Sequence, residues 1–246
     1  MKKIVVANNK GGVGKTTIAS QIVFSLAGRG HSVIAVDLDS QRNLTSSFEH
    51  CLVIGDALDM VLDAKPFKAG LGAGEINVIA GHKDLQAQNT DDVMVNVSSA
   101  LSNSNGADFC VIDTPPSFGD VVYGALLGAD YLLVPIELKK YSLDGIEMAL
   151  EAFIAAQAVN DDLQLLGFLP SRFDAVKQVE RDALAAVAAE FEQVVIRHQI
   201  RNRVAYVVAQ EDGVPLSEIK TKSGKGAQEE FGAFFDWLYG KVNGGA

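Results

Sequence analysis

Seven short apolar runs, rich in β-branched residues, recur along this chain at 3–7, 32–37, 75–80, 108–112, 131–136, 164–169 and 194–197. They are unbroken rather than alternating, which is how strands read when a parallel sheet buries them on both faces. Between them, apolar residues return at helical spacing. Ile18, Ile22, Val23 and Leu26 share one helix face, as do Leu143, Ile146, Leu150, Phe153 and Ile154, and later Leu184, Val187, Ala188 and Phe191. Strand and helix alternating at this scale predict a doubly wound α/β fold. The Gly-rich piece at 69–74 reads as a surface loop before a strand. No Pro/Ser-rich linker, internal repeat or low-complexity segment interrupts the pattern, so one domain is expected over residues 1–246.

Composition narrows the class. With 48% hydrophobic and 21% charged residues in 246, the chain is globular and long enough to bury a sizeable core. Two cysteines, Cys51 and Cys110, make a disulfide framework implausible and fit a reducing cytosol. No apolar run approaches the roughly 18 residues of a membrane span. The apolar start ends at Asn8, too early for a signal peptide. A cytoplasmic protein is expected. The formal charge of −10 argues against nucleic acid wrapped over the whole surface. The exception is residues 195–226, where six basic side chains outnumber three acidic ones.

The sharpest motif directly follows the first strand and opens the first helix: Asn8-Asn9-Lys10-Gly11-Gly12-Val13-Gly14-Lys15-Thr16-Thr17. Glycines let successive backbone N–H groups turn inward toward phosphate oxygens, and the helix N-terminus adds its dipole. Lys15 is placed to reach phosphate, and the Thr16 hydroxyl to bind Mg²⁺. The general pattern G-x-x-x-x-G-K-[ST] wants glycine at position 9, which is Asn9, and a second lysine, Lys10, precedes the Gly-Gly pair. A dinucleotide fingerprint would need glycine where Thr17 stands and leaves Lys15-Thr16 unexplained. Two more strands end in carboxylates, Asp37 with Asp39 and Asp113, where ligands of open α/β sheets bind. An aspartate there is often only a cap or turn residue. Three strand ends agreeing favour one site.

The segments 10–17, 36–41 and 112–116 resemble the deviant Walker A, A′ and B motifs of the ParA/MinD superfamily of ATPases. Residues 129–137 with 141–146, 166–174, 213–216 and 222–227 are similar to further ParA segments, so the resemblance covers nearly the whole chain. It departs at Ser40, where the family usually has proline, and at Gly224, an apparent extra residue. It also starts without the helix-turn-helix extension of longer plasmid ParA proteins, which predicts no operator-specific autorepression.

The resemblance implies a P-loop NTPase domain with a mostly parallel, twisted sheet and helices on both faces. It implies ATP and Mg²⁺ as cofactors, held by residues 10–17, with Gly11, Gly12, Val13, Gly14, Lys15, Thr16 and Thr17 around the phosphates. Thr16 and Asp113 would serve the metal, Asp113 through water. Asp39 would orient the attacking water, with Asp37 supporting it. Lys10 would cross to the phosphates of a second copy in an ATP-dependent homodimer, making Lys10, Lys15 and Asp39 the catalytic set. Pro170 and Arg172 would lie near the base. The dimer would bind non-specific DNA through Arg197, Arg201, Arg203, Lys220, Lys222 and Lys225. A ParB-type centromere-binding partner would stimulate slow hydrolysis, and the cargo would be a plasmid or another replicon, with positioning of a protein cargo as the alternative that ParA relatives leave open.

Two relatives compete. A MinD-like membrane ATPase would anchor through the stripe Phe231, Phe234, Phe235, Leu238 and Val242, but Glu229, Glu230 and Asp236 outnumber Lys241 there, which predicts a core-packing helix and no stable membrane association. A reductase like the nitrogenase iron protein would need a bridging cysteine, and position 123 is Tyr. Cys51 and Cys110 read as small buried hydrophobes. Neither the scattered His31, His50, His82 and His198 nor Tyr123 and Tyr141 carry metal or catalytic spacing.

Overall fold

The computed structural model describes residues 1–87, 92–138 and 142–244, without the side chains of 86–87 and 142–144. Tyr141 and the side chain of Leu143 thus lie outside the described residues. Seven strands, β1 (Lys2–Val6), β2 (Val33–Asp37), β3 (Leu52–Asp56), β4 (Ile76–Ala80), β5 (Phe109–Asp113), β6 (Tyr131–Ile136) and β7 (Gln164–Pro170), form one sheet in the order β3-β4-β2-β5-β1-β6-β7. Every pairing is parallel.

The helices are α1 (Lys15–Gly28), α2 (Asn43–Ser46), α3 (Ala57–Asp63), α4 (Val93–Asn103), α5 (Asp120–Leu127), α6 (Ser142–Gln157), α7 (Gln178–Glu190), α8 (Val204–Glu211) and α9 (Lys222–Gly244). Their sides follow from handedness. Right-handed crossovers put a helix on one face when the chain steps one way along the sheet and on the other face when it steps back. The steps β1→β2→β3 carry α1 and α2 to one face, where Ile18, Ile22 and Leu44 are buried. The return steps carry α3, α4, α5 and α6 to the other, with Met60, Val97, Leu126 and Ile146. The strands alternate between the two cores: Val5 belongs to the second and Ile4 and Val6 to the first. Unbroken apolar runs are the sequence consequence of that double burial.

The C-terminal stripe is inside the protein. Phe231, Phe234, Phe235, Leu238 and Val242 are at most 3% exposed in the core that α9 shares with α1 and α8. Among the described residues, no helix is long and apolar enough to cross a membrane. Cys110 is fully buried within β5, and burial pushes its thiol up to about 12, whereas Cys51 is only half-buried.

The structure adds one strand to the sequence reading and changes two expectations. β3 is not among the apolar runs, because it is an edge strand with Leu52 and Val53 mostly exposed and no buried run announces it. The run at 194–197 is not a strand: it touches β7 through one bridge, Phe168 with Val195. Ile154, expected on the buried face of α6, is 63% exposed, because Ile146, Leu150 and Phe153 already fill the stripe against the sheet.

Candidate active site

The parallel register builds the site. Val6, the last residue of β1, and Asp37, the last of β2, both stand opposite Asp113, the last of β5. The Gly-rich loop leaves β1 at this carboxyl edge, so both carboxylates converge beneath it. Asn8 anchors the loop: its amide donates to Pro135 O (2.6 Å) and its Oδ1 accepts from Lys10 N (2.9 Å). Ser171 Oγ, just past β7, donates to Val13 O (2.6 Å). Gly12 (φ 74°) and Gly14 (φ 94°) take the left-handed backbone that closes the turn, which a Cβ would strain. Gly14 is also the N-cap of α1 and provides no side-chain acceptor, so the first helical N–H groups are left for a ligand.

Residues Gly11 to Thr17 line a cleft of about 440 Å³ together with Asp39, Arg172, Arg201, Asn202, Arg203 and Gln210. Lys15 Nζ lies 3.2 Å from Lys10 O. Burial holds its ammonium below the ordinary lysine value, against the pull of Asp113 and Asp39. Thr16 Oγ1 donates to Asp113 Oδ2 (2.6 Å). Asp113 is fully buried, its Oδ1 has no hydrogen-bond partner among the described residues, and burial with Asp37 nearby pushes its carboxyl up to about 8. A hydroxyl beside one under-satisfied carboxylate suits a cation that keeps most of its waters, as Mg²⁺ does.

Asp39 is 8% exposed and faces the cleft, with Oδ1 accepting from Gln41 N (3.0 Å). Asp37 does not line it. Its carboxylate accepts from Thr45 N (2.8 Å), Thr45 Oγ1 (2.7 Å) and Asp39 N (3.1 Å), so it shapes the turn that carries Asp39 instead of touching a cofactor. Pro170 does not line the cleft either. It ends β7 and its carbonyl accepts from Ile200 N (2.8 Å). Arg172 does line it, in a left-handed backbone (φ 52°), with Nη1 donating to Gly12 O (2.7 Å). Lys10 turns away from its own loop. Its Nζ is 3.4 Å from Glu137 Oε2, and its side chain is half exposed.

The basic stretch is divided instead of forming one patch. Bridges Phe168–Val195, on β7, and Phe173–Arg201, three residues past its end, run residues 195–201 beside the strand and on beyond it, which spreads their side chains. Arg201 and Arg203 thereby reach the cleft, and Arg203 Nε pairs with Glu230 Oε2 (3.0 Å), which Tyr206 Oη also approaches through Oε1 (3.0 Å). Arg197 lines a separate groove with Trp237 and Lys241. Lys220, Lys222 and Lys225 are exposed around the start of α9. Sequence reasoning missed Asn8, Ser171 and Gln210, whose Oε1 accepts from Thr17 Oγ1. Asn8 could have been suspected from its place at the strand end, but contacts across 158 and 193 residues leave no local trace.

The family described as an AAA domain (AAA_31) matches residues 1–165. Protein IncC of Escherichia coli is 31% identical over 98% of this chain and 70% of its own length. The chromosome partitioning protein ParA of Myxococcus xanthus is 28% identical over 89% of this chain and 82% of its own. Among solved structures, cobyrinic acid a,c-diamide synthase from Mycobacterium smegmatis with bound ATP analogue and magnesium superimposes with TM-score 0.79 at 26% identity, over all of this chain and 97% of that one. The cleft built on β1, β2 and β5 and these likenesses agree: the chain belongs to this AAA-domain family and is a ParA/MinD-superfamily ATPase of the partition and positioning kind.

Proposed function

We propose that this chain is a DNA partition ATPase whose nucleotide state controls pairing of two copies and their hold on DNA. The observation that carries the reading is the pair formed by Thr16 and the buried, half-satisfied Asp113 beneath an uncapped helix N-terminus. ATP fits this cleft, with phosphates on the loop, Lys15 beside them and Asp39 facing them. Mg²⁺, held by Thr16 and through water by Asp113, would neutralise charge on the phosphate oxygens. Asp39 would orient the attacking water. Lys10, half exposed and held toward Glu137, is free of the Gly11–Thr17 cleft and suited to reach a second copy. A cation arriving only when two copies meet would couple association to γ-phosphate charge.

The paired form would bind non-specific DNA through Lys220, Lys222 and Lys225 and ride on the nucleoid. A centromere-binding ParB-type partner would release it by speeding hydrolysis. The chromosome partitioning relative supports this choice over a protein cargo. Binding to non-specific duplex DNA across a salt series, with ADP, with ATP and with Asp39→Ala plus ATP, tests it. Salt-sensitive binding should require ATP and persist in Asp39→Ala. Lys222→Glu with Lys225→Glu should weaken it and flatten the salt slope with ATP affinity unchanged. DNA binding in no state would leave the ATPase and end the DNA reading.

A further inference from the structure

Beside the first half of β7 lies a second concavity, of about 450 Å³, walled by residues 192–198 and the last turns of α9. It exists because the sheet edge is unfinished. The segment after α7 joins β7 only from Phe168 onward, through Phe168 N to Val194 O (2.7 Å), Ile196 N to Phe168 O (2.8 Å) and Ile200 N to Pro170 O (2.8 Å). Among the described residues no strand pairs with Gln164–Leu166 on their outer side. A strip of parallel-sheet backbone therefore faces this groove, the kind of edge that an extended peptide joins as an added strand.

The walls specify charge. Arg197 and Lys241 are exposed, and neither side chain makes an ion pair or hydrogen bond among the described residues. His198 packs on Trp237, ring centroids 6.2 Å apart, and among the described residues Glu192 is the single carboxylate lining the groove. In a chain of net charge −10 this is a local reversal of sign. We propose that the groove binds an extended acidic peptide segment of a partner protein, laid along β7 with its carboxylates against Arg197 and Lys241. Duplex DNA would use the cations but not the strip of peptide N–H and C=O groups between them, so the acidic strand is the occupant that employs both features.

Trp237 is the sole tryptophan of the chain, so its emission reports this groove. The full-length protein would be titrated with an eight-residue peptide of alternating Glu and Val, with the same peptide carrying Lys for Glu, and with duplex DNA. A saturable, salt-weakened change with the Glu peptide alone is expected. Arg197→Ala with Lys241→Ala, both on the surface, should weaken it about tenfold with nucleotide affinity unchanged. Methylating alternate backbone nitrogens of the peptide should abolish it. No saturable change at millimolar peptide, an equal response to the Lys peptide, or unchanged affinity in the double variant would overturn the proposal. So would the same change with duplex DNA, which would give the groove to nucleic acid.

Discussion

The two ends of the sheet obey different rules. At the amino end, the Asp108 carboxylate accepts from Ser32 N and Ser32 Oγ (both 2.9 Å), which holds it below the usual carboxylate range. His31 Nε2 shares a hydrogen bond with Tyr239 Oη (2.9 Å), Lys2 Nζ donates to Val242 O (2.6 Å), and the Arg29 guanidinium lies 4.7 and 4.4 Å from the Phe235 and Tyr239 rings. At the carboxyl end, Asp113 is buried with an unpartnered oxygen, Lys15 is desolvated, Arg172 holds a left-handed backbone and α1 begins without a side-chain cap. Local preferences are met where the chain only has to hold itself together. They are violated where a ligand completes the structure.

That contrast predicts opposite effects on activity and stability at the carboxyl end. Lys15→Ala removes the cation proposed to lie beside the phosphates, and phosphate release should fall at least about 100-fold. The same change also removes a partly desolvated ammonium, so the ligand-free protein should melt no lower than the parent. A melting temperature well below the parent's would mean that Lys15 holds the fold, and the contrast would fail.

Asp113→Asn gives the next largest effect, with a pH signature. The carboxyl sits at about 8 in the fold against 3.8 in the open chain, so the folded state binds the proton more tightly. Ionising it costs stability progressively as pH rises from about 4 to 8, and below that window the cost is absent. Asparagine keeps the shape and carries no charge. The ligand-free variant should therefore melt several degrees above the parent at pH 8 and within about a degree of it at pH 4, while hydrolysis is lost. Calorimetry at the two pH values decides this, and a gap that does not grow with pH would break it.

How much of this was legible follows from what each feature needs. The loop at 8–17 and the carboxylates at 37, 39 and 113 are readable because strand–turn–helix chemistry is local. Their convergence is not, since it depends on β5 inserting between β2 and β1, and no spacing in the sequence encodes that order. The stripe on α9 gave its burial away through the acidic residues opposite it. The basic run at 197–225 misled because charge counts ignore direction. One bridge on β7 and one just past its end bring Arg201 and Arg203 to the cleft and leave Arg197 in another groove. β3 was hidden by the same logic inverted, an edge strand whose exposed Leu52 and Val53 look like loop.

The smallest effect belongs to the amino end. Tyr239→Phe deletes the hydroxyl bonded to His31 and keeps the ring beside Arg29. One half-buried hydrogen bond is worth about 0.5–1.5 kcal/mol, which in a chain of this size lowers the melting temperature by about 2–5 °C. Hydrolysis and nucleotide affinity should not move, because α9 meets the cleft where Glu230 pairs with Arg203 and Tyr206, about two and a half turns from residue 239. A loss of stability with activity intact would separate the two ends. A matching loss of hydrolysis would show instead that α9 transmits the state of its clamped end to the nucleotide cleft, and the division drawn between the ends of the sheet would have to be abandoned.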